Sequence, residues 1–215
     1  MQSLAYLYMG VIVPASVIVP IVFAIAKYRH INKPLTTIFW YLLFAGVVNA
    51  CAAFMAFRRI NNLPLLHVYT IVEFVFLGLF FYQFIKRPVV RKLILAGILL
   101  FPVYGFINFT FVQNLHVFNS YTRPVEAVLL ITCSVVYFYN RTLDNQDHAW
   151  HTQPETWIVT GILIYFSSSL VQFSFSNVVS SLAGRETKLF IWAIHATLVL
   201  IMYLSFAVGF SKCRA

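Results

Sequence analysis

The sequence predicts an all-α integral membrane protein: a seven-transmembrane-helix bundle with its N-terminus outside and its C-terminus in the cytoplasm. Three observations lead there. Of 215 residues, 61% are hydrophobic and 10% charged, where a soluble domain carries about 25% charged residues. So short a chain has no aqueous fold whose interior takes up that excess, and lipid must be the solvent. The apolar residues also gather into seven runs, each near the roughly twenty residues that a bilayer core requires. They are continuous rather than alternating, which selects helices over barrel strands. Finally, the basic residues bracket the runs instead of clustering on one face.

The first run, 4–26, follows no basic residue. It is also longer than a signal-peptide core, so it is expected to remain as a helix, bent by Pro14 and Pro20. The second, 35–57, carries Gly46, Ala50, Ala52 and Ala53; small residues let membrane helices approach, so these are expected to mark its closest helix contact. The third, 65–85, contains Glu73. The fourth, 93–112, ends beyond Asn108. The fifth, 123–140, opens on Arg123 and contains Glu126. The sixth, 157–179, holds Gln172, and the seventh, 189–210, holds Trp192 and His195. Connections of about seven to sixteen residues leave no room for a soluble domain, so residues 1–215 form a single membrane domain.

Charge sets the expected orientation. Ten basic residues fall on connections 1–2, 3–4 and 5–6 and the C-terminus: Lys27, Arg29, Lys33, Lys86, Arg87, Arg91, Lys92, Arg141, Lys212 and Arg214. Five fall on the other side: Arg58, Arg59, Arg123, Arg185 and Lys188. The richer side faces the cytoplasm, and the acids Asp144, Asp147 and Glu155 beside it carry little weight in that rule. The net charge of +9 is therefore a topology signal and not a nucleic-acid footprint. Small size and the lack of a cleavable leader suggest the inner membrane of a bacterium. Cys51, Cys133 and Cys213 form no CxxC pair and no even framework, and read as small apolar fillers. His148 and His151 read as solvated loop residues.

Two stretches echo each other. NLPLLHVYTIVE (62–73) and NLHVFNSYTRPVE (114–126) both run Asn-Leu, His, Tyr-Thr, Val-Glu, the pattern of a duplicated helical hairpin. At about 1.5 Å per residue, Glu73 lies ~12 Å, His195 ~9 Å and Glu126 ~5 Å inside the membrane from the same side. Asn49, Asn108 and Gln172 reach similar depth on the returning helices. A charge facing lipid costs about 2.5–3.5 kcal/mol, so the carboxylates should turn inward. There they meet Arg123, three residues before Glu126 on one helical face.

The expected site is an outward-facing pocket on Glu73, Glu126 and His195, completed by Tyr69, Asn49, Asn108, Gln172, Trp192 and Arg123. Acids, a histidine and aromatic walls make up the usual small-molecule site. The reading is a receptor-like or sensory membrane protein for a small or lipid-like ligand, signalling to a cytoplasmic or membrane partner through its basic loops. One alternative is a membrane-embedded hydrolase or transferase whose Glu73, Glu126 and His195 hold a divalent metal such as Zn²⁺. A second is an ion- or proton-coupled transporter. A third is a scaffold whose polar belt only packs helices. A retinal protein is excluded, since helix 7 offers no lysine midway along its length.

Overall fold

The computed structural model describes residues 2–143 and 150–213. Asp144, Asp147, His148 and Arg214, which figured in the charge and histidine readings, lie outside the described residues. Among the described residues the chain is all-helical, and seven helices are long and apolar enough to cross a membrane. They are α1 (Tyr8–Ala26), α2 (Lys33–Phe57), α3 (Leu63–Phe84), α4 (Pro88–Val112), α5 (Thr122–Leu143), α6 (Pro154–Leu182) and α7 (Arg185–Ser211). Each expected run lies inside one of them or overruns it by a few residues.

Most helices start earlier than the hydropathy suggested. Proline stands in the first two positions of α2, α3, α4 and α6, where its missing N–H costs nothing and its fixed φ suits the helix. The overlooked turns hold polar and proline residues that hydropathy discounts. Connections are correspondingly shorter than expected: 85–87 joins α3 to α4 and 183–184 joins α6 to α7.

Proline also explains the irregularities. In α1 the ladder widens to a π turn over Tyr8–Ile12, then breaks at Ser16 and Val17, between Pro14 and Pro20. The Ser16 carbonyl, which Pro20 cannot bond, accepts from Val19 N at 3.0 Å. Past Pro102, α4 ends in a second π turn over Asn108–Val112, and Gln113 N closes it on Asn108 O at 2.7 Å. That extra residue turns Asn108 into the protein, where it is 3% exposed.

The expectation for α2 does not hold. Gly46 makes only ordinary contact with Val17 and Ile21 of α1, and Ala50 and Ala53 are exposed. Tighter glycine contacts lie on other helices, among them those between α6 and α7. A Cβ on Gly161 would stand 2.9 Å from Ser205 Cβ, and one on Gly209 would stand 2.9 Å from the Pro154 carbonyl oxygen. Small residues do mark a tight helix contact, but at these single glycines rather than at the alanine-rich segment. The bundle's interior is otherwise aromatic and aliphatic, with Tyr41, Tyr137, Phe80, Phe81, Phe166, Phe206 and Phe210 fully enclosed.

Two ends are thereby defined. The mouth end bears connections 58–62, 113–121 and 183–184, and the opposite end bears those between α1 and α2, α3 and α4, and α5 and α6. At the opposite end Asn32 caps α2 by accepting from Leu35 N at 3.1 Å and donates to Glu155 Oε1 of α6 at 2.5 Å.

Candidate functional site

The polar core starts at the first turn of α5. Asn119 accepts from Thr122 N at 3.2 Å and so caps that helix. The next residue, Arg123, projects into the bundle. Its Nη1 donates to Glu126 Oε2 on its own helix at 2.6 Å and to Glu73 Oε2 on α3. Its Nη2 donates to the Tyr165 hydroxyl of α6 at 3.0 Å. The guanidinium also faces the Phe173, Phe166 and Tyr69 rings at 4.8, 5.7 and 5.8 Å.

Glu73, only 1% exposed, fills its remaining capacity with tyrosines. Its Oε1 accepts from Tyr41 at 2.6 Å and Tyr69 at 2.9 Å. Glu126 is less well served. It is 0% exposed, and its Oε1 has no hydrogen-bond partner. An arginine with two or more aligned acceptors is the usual means of keeping a carboxylate in a low-dielectric interior.

Beside this cluster lies a cavity of about 220 Å³ that reaches the mouth end at Leu63, Phe118 and Asn119. α2, α3, α5, α6 and α7 all contribute to its wall. Of the expected site residues, Asn49, Tyr69, Glu73, Arg123, Trp192 and His195 line it. The other three stand apart. Glu126 lies behind Arg123. Asn108 serves a separate network, donating to Thr122 Oγ1 at 3.0 Å and Gln113 Oε1 at 3.3 Å. Gln172 is outside the wall, with its Nε2 buried and unpartnered.

His195 is held by rings. Tyr165 and Phe173 are each 5.6 Å from it by centroid and Trp192 is 6.0 Å away, while Ser169 Oγ lies 3.4 Å from Nδ1. The expected metal ligand set is not formed: among the described residues no three His, Cys, Asp or Glu side chains gather closely enough to hold an ion. The physical reason is visible in the cluster, where the Arg123 guanidinium occupies the position between the carboxylates that a cation would need.

Several wall residues were not foreseen: Tyr165, Phe173, Met202, Tyr203 and Phe118. Phe118 sits on connection 113–121, a strap folded over the mouth. Asn177 of α6 grips its backbone from both sides, accepting from Phe118 N at 2.9 Å and donating to Phe118 O at 2.8 Å. Asn177 also donates to Ser120 Oγ at 2.9 Å, as does Gln113 at 2.9 Å. His67 of α3 bonds Val117 O at 3.0 Å. The Phe118 ring stacks on Trp192 at 4.9 Å, and the two together flank the cavity's mouth. The paired His67 and His116 of the echoed stretches differ in surroundings: His67 is buried on a helix and His116 is exposed on the strap.

No protein-family model, curated protein or solved structure matches this chain.

Proposed function

We propose that this chain is a receptor-like multi-pass membrane protein that binds a small or lipid-like molecule in the cavity between α2, α3, α5, α6 and α7. The single observation that carries this reading is the cavity's make-up. Its walls are apolar and aromatic, its floor is the Glu73–Arg123 pair, and it reaches one end of the bundle. Few converging polar groups in an apolar cleft are the ordinary design of a ligand site. A catalytic role has less support. Both Glu73 oxygens are already bonded, and Ser169, the hydroxyl beside His195, is fully buried and outside the cavity wall.

The basic residues favour a mouth that faces outward, with the Lys27, Arg29, Arg87 and Arg91 end in the cytoplasm. A partner protein would take the signal there. Orientation is checked with a membrane-impermeant maleimide on whole cells, in a background where the three native cysteines are replaced. Cysteine at Asn114 should label and cysteine at Arg87 should not; the reverse pattern overturns the orientation.

The ligand-site reading is tested by native mass spectrometry of protein released from nanodiscs of its host membrane. A bound small molecule should accompany the wild type. It should be lost when Val199, on the cavity wall, is replaced by Trp to fill the space, while the melting temperature is retained. Identical spectra for the two proteins, with or without adducts, would sink the reading.

A further inference from the structure

Two phenols on the cavity wall hold protons that their partners cannot take. Tyr165 hydroxyl accepts from Arg123 Nη2 at 3.0 Å, and Tyr203 hydroxyl accepts from Asn49 Nδ2 at 3.4 Å. A guanidinium and an amide nitrogen only donate, so each phenol's own hydrogen points elsewhere. Among the described residues neither hydroxyl meets another acceptor. Both tyrosines are 3% exposed and line the cavity, and a buried donor left unpaired is costly. Arg123, on the same wall, keeps N–H groups beyond those bonded to Glu73, Glu126 and Tyr165. Glu73, the strongest acceptor there, is already filled by Tyr41, Tyr69 and Arg123. The open capacity beside the ion pair is therefore chiefly donor, and it calls for an oxygen.

Charge narrows the class of guest further. Glu73 and Arg123 neutralise each other. Glu126 is fully enclosed with Oε1 bare, which are the surroundings of an uncharged carboxyl. A cation would meet the Arg123 guanidinium on the wall. An anion would meet the Glu73 carboxylate that already holds that guanidinium, and would stand uncompensated in an apolar cleft. Resting on the reading of this cavity as a ligand site, we propose that its guest is a neutral, mainly apolar molecule carrying an acceptor oxygen, a carbonyl in the simplest case. The oxygen takes the Tyr203 proton, and the apolar body lies among the Phe118, Phe173 and Trp192 rings. The cavity's 220 Å³ is the share of roughly seven waters at ~30 Å³ each, so the guest is small.

Four planar probes of one outline separate oxygen from charge: acetophenone, its carbon isostere α-methylstyrene, the anion benzoate and the cation benzamidinium. Binding to the full chain in an uncharged maltoside micelle is read by calorimetry. It is taken as the excess over the Val199→Trp protein, so that partition into detergent cancels. Acetophenone should bind about fivefold more tightly than α-methylstyrene, and both ions should bind more weakly than acetophenone. Tyr203→Phe removes the donor and keeps the ring, and should narrow the ketone–alkene gap to about twofold or less. If that variant does not fold, the infrared carbonyl band of isotope-labelled acetophenone on the wild type decides. A hydrogen-bonded oxygen places the bound band below its frequency in hexane; a band at the hexane frequency overturns the assignment. An alkene that matches the ketone, an ion that outbinds it, or a gap that persists in folded Tyr203→Phe also overturns it and leaves a ligand site standing. Failure of all four probes to bind overturns it too, while the ligand-site reading itself is decided by the mass measurement on the Val199→Trp variant.

Discussion

Glu73 and Glu126, on different spans, accept hydrogen bonds from the same nitrogen of Arg123. That one atom ties α3 to α5, and Nη2 extends the tie to α6 through Tyr165. Removing it strands two buried carboxylates together. Arg123→Ala should therefore cost at least the 3–5 kcal/mol typical of breaking a buried pair, and Glu126→Gln, which keeps an acceptor for Arg123, no more than about 1 kcal/mol. Reversible unfolding in mixed micelles checks the order. A milder effect for Arg123→Ala than for Glu126→Gln would contradict it.

The strap over the mouth depends on Asn177. Its amide makes three bonds to residues 118 and 120, and Asn177→Ala deletes all of them at once. Hydrogen exchange over residues 113–121 should accelerate while that of α6 and α7 stays unchanged, with a stability loss of about 1–3 kcal/mol. Unaltered exchange across the strap would mean that Gln113 and His67 hold it alone.

The α6–α7 contact makes glycine substitutions unequal. A methyl at Gly209 meets the Pro154 carbonyl oxygen at 2.9 Å and Ile158 Cδ1 at 3.1 Å. Backbone cannot yield as a flexible side chain can, so Gly209→Ala should cost about 1–3 kcal/mol. At Gly184 nothing lies within 4 Å, and Gly184→Ala should leave the melting temperature where it is. Equal effects of the two substitutions would refute the close approach.

Cys213, just beyond α7, is 3% exposed. Burial, with Glu155 adding to it, raises its thiol from 9.0 to about 11, against a smaller opposing pull from Lys27. A thiol raised on folding favours the folded state below its ordinary value, and that contribution fades as pH climbs through 9.0 toward 11. Between pH 7 and 9 the native thiol should react slowly with maleimide, and unfolding should release full reactivity. Fast labelling of the native protein at pH 8 would count against it.

The seven long helices were legible because runs of about twenty apolar residues, the length a bilayer core requires, are seldom anything but helix. The Glu73–Arg123–Glu126 meeting was legible for a related reason: charges in apolar runs have nowhere else to go. The aromatic half of the site was not. With 22 Phe and 12 Tyr in the chain, type alone does not tell Tyr165 and Phe173, which line the cavity, from Phe111 and Phe175, which face outward. Asn108 was misassigned because a π turn, invisible in the pattern, rotates it toward Thr122. The metal ligand set does not gather among the described residues, where the Arg123 guanidinium stands between the two acids. Asn177 gave no signal, since it is one polar residue near a helix end whose partners lie 57 and 59 residues away.

On the proposed ligand-site reading, the clamp of Asn177 on both backbone groups of Phe118 bears on how fast a guest would enter. With the peptide held on either side, the strap would stay in place on that reading, and the mobile part of the mouth would be the Phe118 phenyl ring, turning about its own torsions off the Trp192 indole. Rotamer hops of that kind take picoseconds to nanoseconds, whereas loop and domain openings take microseconds or longer. Admission would then be a shutter rather than a hinge, and traffic through it would be set by how often a visitor arrives.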